Sequence, residues 1–217
     1  MRTGEKLAYD VTGRVTAMTD AQGRRVLLQY NGSQLVRVVD AANPQRSLAL
    51  DYDPAGVHVV AIHDPSGRTM RYSYDNNGDL VGTTDVMGRA VVYHYQNHLL
   101  TEIDNTLGQP EERIAYDAYT PSGRVISQTL QDGEQIAMDY VPDHTTITTT
   151  ATDGTQDVEQ VLYDAQRNVM TGIVKNGTLV QQTEFDGDFA PDLIVNANGN
   201  QTQIVSNGAL VSAESGG

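Results

Sequence analysis

The chain has no cysteine, no tryptophan and only 2 phenylalanines among its 217 residues. Without cysteine, disulfide staples, thiolate catalysis and cysteine-ligated zinc are all excluded. Lys and Arg number 14 against 28 Asp and Glu, a net charge of −14. Phosphate backbones are held by clustered cations, so no nucleic-acid partner is expected. No apolar run approaches the length of a membrane-spanning helix, and residues 1–5 lack the apolar segment of a classical secretory signal. Helical i, i+3, i+4 patterning is sustained nowhere, which excludes a helical bundle. There is no G-x-S-x-G elbow, phosphate loop or H-E-x-x-H, so the common enzyme motifs are missing as well.

What is present repeats. Aromatic anchors Tyr9, Tyr30, Tyr52, Tyr74, Tyr95, Tyr116, Tyr140, Tyr163 and Phe185 stand 21 to 24 residues apart. A fixed period in that range marks a repeat architecture. Before most anchors, apolar and polar residues alternate. Val26, Leu28 and Tyr30 share one face, as do Leu48, Leu50 and Tyr52, and likewise Met70, Tyr72 and Tyr74. Val91, Tyr93 and Tyr95 repeat the pattern, then Ile136, Met138 and Tyr140. Two such stripes per repeat, each bounded by a glycine-containing turn, predict two strands per repeat.

The acids explain the turns. Asp accounts for 20 of the 28 acids, and Asp favours turns where Glu favours helix surfaces. One set of turns follows the anchors: Asp10 with Gly13, Asp53 with Gly56, Asp75 with Gly78. The other lies mid-repeat: Asp20 with Gly23, Asp64 with Gly67, Asp85 with Gly88, while Asp40 opens a turn that lacks the glycine. Asp-x-x-Gly suits a type I turn closing into a bulge, its glycine tolerating a positive φ. Arg follows the glycine at Arg14, Arg24, Arg68, Arg89 and Arg124, and is expected beside the turn aspartates.

Regularity fades after Tyr116. The later Asp132-Gly133, Asp153-Gly154 and Asn176-Gly177 pairs suit two-residue type I′ hairpins. The threonine-rich run 145–152 reads as a β-branched strand. Residues 1–205 are read as one repeat domain of about nine hairpins, and 206–217 as a disordered tail.

The unit Tyr9-Asp10-Val11-Thr12-Gly13-Arg14-Val15…Asp20-Ala21-Gln22-Gly23-Arg24…Tyr30 resembles the YD repeat of Rhs-family proteins and teneurins. The likeness covers about residues 7 to 204 and is closest through Tyr116. The resemblance implies an all-β fold of stacked hairpins spiralling into a curved, shell-like sheet. It further implies a non-enzymatic scaffold without cofactors, a wall segment around a toxin or effector in a secreted or cell-surface bacterial system. The partner is then that cargo, or the rest of the shell, from the same polypeptide or operon. No P-x-x-x-x-D-P-x-G-L-like self-cleavage junction is present, so a fragment of a larger protein is expected. The alternatives are an adhesion module whose tyrosines bind glycans or proteins, and a hydrolase using two of the abundant aspartates.

Metal binding has little support in the sequence. His58 and His63 fall on opposite faces of a strand, and His94 and His98 lack the helix that brings i and i+4 together. Asp186, Asp188 and Asp192 crowd one loop in a way that suggests calcium, without the glycine and distal Glu of an EF-hand.

Overall fold

A computed structural model describes residues 4–187, 190–206 and 210–215. Every regular element among them is a β-strand, and none is a helix. Met1–Gln109 form one compact unit and Pro110–Gly217 a second.

The first unit holds β1 (Lys6–Tyr9), β2 (Val15–Thr19), β3 (Arg25–Asn31), β4 (Gln34–Asp40), β5 (Ser47–Tyr52), β6 (Val59–His63), β7 (Thr69–Tyr74), β8 (Leu80–Thr84), β9 (Ala90–Gln96) and β10 (Leu99–Asp104). Each strand pairs antiparallel with the next in sequence. The second holds β11 (Pro110–Tyr116), β12 (Val125–Leu130), β13 (Gln135–Val141), β14 (His144–Thr150), β15 (Gln156–Asp164), β16 (Val169–Lys175), β17 (Thr178–Phe185), β18 (Pro191–Asn196), β19 (Gln201–Ser206) and β20 (Leu210–Ser215). It is likewise a meander.

The anchors end or nearly end the odd-numbered strands. At Tyr9, Tyr30, Tyr52 and Tyr74 the ladder slips by one residue, a β-bulge immediately beside the aromatic. Tyr116, Tyr163 and Phe185 repeat the slip, whereas Tyr140 sits in an unbroken ladder opposite Thr145. Bulges increase local twist, and the consequence appears one strand later. In the first unit each even strand pairs with the following odd strand over only three residues. These are 17–19 with 25–27, 37–39 with 47–49, 61–63 with 69–71 and 82–84 with 90–92. Beyond those residues the strands part.

The turns follow the Asp-x-x-Gly reading. In the first, the Asp10 N–H donates to the Arg14 carbonyl (2.9 Å) and the Gly13 N–H to the Asp10 carbonyl (3.1 Å), with Gly13 at φ 83°. Asp40 opens a wider loop that closes through Arg46. Two later turns differ from expectation. At Asp132-Gly133 and Asp153-Gly154 only the glycine has positive φ, whereas type I′ needs two such residues. These are the same four-residue turns, with Leu130 and Ala151 in the aspartate's place. Asn176-Gly177 is the expected type I′ pair, at φ 48° and 78°. Leu210–Ser215 pairs antiparallel with β19.

Among the described residues, a strand within either unit touches only its sequence neighbours, so no second layer of described strands covers its faces. Accordingly no large described side chain is fully buried, and the most enclosed apolar residues are Ala17, Val39 and Ala61. On one face of the first unit, opposed residues form apolar rows: Leu7, Met18 and Val26, then Leu50, Ile62 and Met70. The other face combines small residues with charge: Ala49 lies opposite His63, and Ala61 opposite Arg71.

Candidate functional site

The parted strands leave carbonyls without ladder partners, and the anchors supply them. The Tyr30 hydroxyl donates to the Val15 carbonyl (2.9 Å), Tyr52 to Leu35 (3.1 Å) and Tyr74 to Val59 (3.2 Å). Each acceptor is the residue paired with the previous anchor, since Val15 lies opposite Tyr9, Leu35 opposite Tyr30 and Val59 opposite Tyr52. The result is a ladder in which Tyr30, Tyr52 and Tyr74 each tie their repeat to the one before. In the second unit Tyr140 donates to Val125 (2.7 Å), again the partner of an anchor, Tyr116.

Tyr163 is the informative exception. β14 and β15 pair over seven residues, so the Thr145 backbone is already in the ladder. The Tyr163 hydroxyl turns instead to the Thr145 Oγ1 (2.8 Å), on a side chain only 7% exposed. Burial pushes the phenols of Tyr74, Tyr95 and Tyr116 above their ordinary range, and Tyr116 meets Tyr119 edge-on at 5.7 Å. Tyr9 is the outlier at 58% exposed, and Phe185 brings no hydroxyl to the ladder.

A second set of contacts runs along the turns. The residue just before the partner of Tyr9, Tyr30, Tyr52, Tyr74 and Tyr116 is Arg14, Gln34, His58, Asp79 and Arg124 respectively. Arg14 pairs with Asp10 (2.9 Å), lies 5.0 Å over the Tyr30 ring and donates to the Gly32 carbonyl of the next turn. Gln34 donates to the Gly56 carbonyl (2.8 Å), one turn further on. His58 takes the arginine's place: it bonds Asp53 (2.9 Å) and stacks on Tyr74 with centroids 4.4 Å apart. Arg124 pairs with Asp117 (2.9 Å) and covers Tyr140 at 4.6 Å. At Asp79 the polarity reverses. The carboxylate receives His98 (2.8 Å) from the next hairpin loop, where Asn97 and His98 hold φ of 52° and 67° without a glycine.

The mid-repeat aspartates Asp20, Asp64 and Asp85 cap their own turns and grip Arg24, Arg68 and Arg89 through Nε at 2.6, 2.6 and 2.7 Å. These arginines are exposed, and such a pair contributes about 0–1 kcal/mol. Asp75 accepts the Asp79 N–H (2.9 Å), which holds its carboxyl below the usual range. Of the residues read as a calcium loop, Asp186 accepts the Ala190 N–H (2.9 Å), Asp192 opens onto an exposed stretch of β18, and Asp188 lies outside the described residues.

Sequence reasoning missed one regularity. All five histidines bond an aspartate: His58 with Asp53, His63 with Asp51, His94 with Asp104, His98 with Asp79 and His144 with Asp143. Two of these pairs occupy equivalent positions with the residues exchanged. Asp51 and His94 each precede an anchor, while His63 and Asp104 each precede a mid-repeat turn. The 22-residue phase carried this signal, but only once the register across each hairpin was known.

Residues 9–47 and 52–90 match the RHS Repeat family. No curated protein matches the chain. Among solved structures, TcdB2-TccC3 without its hypervariable C-terminal region is 14% identical over 97% of this chain and 14% of its own, with a TM-score of 0.44. The Tc holotoxin pore of Photorhabdus luminescens, carrying a TccC3 mutation, is 13% identical over 93% of this chain and 14% of its own, with a TM-score of 0.40. A porin-like protein from Bacteroides uniformis is 12% identical over 97% of this chain and 87% of its own, with a TM-score of 0.28.

Proposed function

Taking as premise that residues 9–47 and 52–90 are RHS repeats, we propose that the chain is a non-enzymatic wall segment of an Rhs-type shell. The shell encloses a toxin or effector domain in a secreted or cell-surface bacterial system. The partner is that cargo, or further repeats of the same polypeptide or operon. The supporting observation is the tyrosine ladder. At Tyr30, Tyr52, Tyr74 and Tyr140 it ties a repeat to the one before through a backbone acceptor, a linkage that can extend by adding repeats. No described helix is long and apolar enough to cross a membrane, which leaves β-barrel insertion untouched.

The ladder also weighs against the glycan-binding alternative. A sugar platform needs an open aromatic face, and Tyr30, Tyr74 and Tyr140 have a face covered by Arg14, His58 and Arg124. The hydrolase alternative loses its free carboxylates in the same way, because the turn aspartates are engaged by backbone N–H groups and arginines.

The test is the size and contents of the native polypeptide, detected in the source cell with an antibody to this segment. The expected result is a product much larger than 23.6 kDa, holding a second domain that resists protease until the β-structure is unfolded. A native product near 23.6 kDa with no protected partner sinks the proposal.

A further inference from the structure

The β9–β10 hairpin brings together three metal-ligating side chains with no part in the tyrosine ladder. Glu102 lies directly opposite His94, and Asp104 follows two residues along the same face of β10. The donor atoms of His94, Glu102 and Asp104 all lie within 4.8 Å of one another, with the His94 Nε2 2.8 Å from the Asp104 Oδ2. We propose that these residues form a divalent transition-metal site, with zinc as its ion.

The donor set and its spacing carry the assignment. Zinc binds imidazole nitrogen and carboxylate oxygen at about 2.0–2.2 Å, which sets tetrahedral donors about 3.4 Å apart. All three donor atoms lie within 4.8 Å of one another, a spread that modest side-chain rotations bring to that separation. His94 is exposed and the two acids are partly buried, so water reaches the site from the His94 side to complete the shell. One imidazole beside two carboxylates favours zinc or manganese over calcium and magnesium, which prefer all-oxygen sites.

The chain contains its own control. Asp51 and His63 occupy the equivalent positions two repeats earlier and are bonded at 2.7 Å. There the residue opposite Asp51 is Ala61, 2% exposed, where the β9–β10 hairpin has Glu102 opposite His94. Two donors form a cross-strand hydrogen bond; the third makes a chelate. A bound cation then pins β9 to β10 at the hairpin's open end, so metal stabilises the folded state by mass action.

The experiment is calorimetric titration of the full chain with zinc chloride, and separately with manganese and calcium chlorides, alongside thermal melts. One saturable zinc site per chain is expected, with a melting temperature that rises on zinc addition. His94→Ala and Asp104→Asn weaken zinc by more than about 10-fold, the scale at which perturbing a metal shell is felt. His63→Ala leaves the titration unchanged. All three side chains stand on the sheet surface, and circular dichroism of each variant confirms its fold. Absence of saturable zinc binding overturns the site, and so does zinc binding that survives His94→Ala. Calcium binding as tightly as zinc also overturns it, because the imidazole then contributes nothing.

Discussion

The Tyr140 hydroxyl donates to the Val125 carbonyl at 2.7 Å, across a gap where β12 and β13 have stopped pairing. Tyr163, the next anchor, faces strands that have not parted and bonds a threonine side chain instead. The two variants are therefore unequal. Tyr140→Phe strands a half-buried backbone carbonyl and is expected to cost about 1–2 kcal/mol in urea unfolding. Tyr163→Phe leaves the Thr145 backbone ladder intact and is expected to cost about half as much. Equal losses contradict the ladder account.

Gly13 and Gly56 close equivalent turns at φ 83° and 71°, but their surroundings differ. A Cβ on Gly13 meets nothing within 4 Å, whereas one on Gly56 falls 2.6 Å from the Gln34 Nε2. Both alanine variants carry the left-handed backbone penalty of about 1–2 kcal/mol. Gly56→Ala also displaces Gln34 from the Gly56 carbonyl, adding about 0.5–1.5 kcal/mol. Melts of the two variants should separate by several degrees, with Gly56→Ala the lower.

Acid should weaken the turns together. Hydrogen bonds hold the carboxyls of Asp10, Asp20, Asp53, Asp64, Asp75, Asp85, Asp117 and Asp153 below their ordinary value of 3.8. The largest causes include the Thr12 hydroxyl for Asp10, the Arg24 and Arg68 side chains for Asp20 and Asp64, and backbone N–H groups for Asp53, Asp75 and Asp85. As pH falls below 3.8 the unfolded chain takes up protons first, so the contribution present above that value is lost through the lowered folded values. The melting temperature is expected to hold down to about pH 4 and then fall steeply. A flat profile to about pH 2 contradicts it.

His98 moves in the opposite sense. Its hydrogen bond to Asp79, reinforced by the charge of that carboxylate and of Asp75, raises its pKa above 6.5. The associated stability is fully present below 6.5 and is lost as pH rises through the folded value. His98→Gly relieves a left-handed backbone, φ 67°, and removes this titration. The variant should therefore match or exceed the parent in stability at about pH 9 and show a smaller decline between about pH 6 and pH 9. An unchanged pH profile in the variant assigns the decline elsewhere.

Much of the fold was legible because its signals are local. Alternation before Tyr30 or Tyr52 names a strand and its apolar face, and Asp10 with Gly13 names a turn, from a handful of neighbouring residues. The failures came where locality ended. Asp132-Gly133 reads as a two-residue turn until the φ of Asp132, set by its strands, shows that Leu130 opens it. The histidines were weighed by spacing along single strands, while every strand-to-strand His–Asp pair depends on cross-strand register.

The sequence by itself determined the period, the all-β character and the turn chemistry, since each is a property of a few consecutive side chains and their backbone preferences. Tertiary structure decided what the anchors do. A bulge beside one tyrosine twists the sheet, the twist ends the next pairing after three residues, and the exposed carbonyl calls for a donor that the following tyrosine supplies. The sequence shows the tyrosine and its phase. Its acceptor, 15 residues back on the preceding strand, exists only because the strands part.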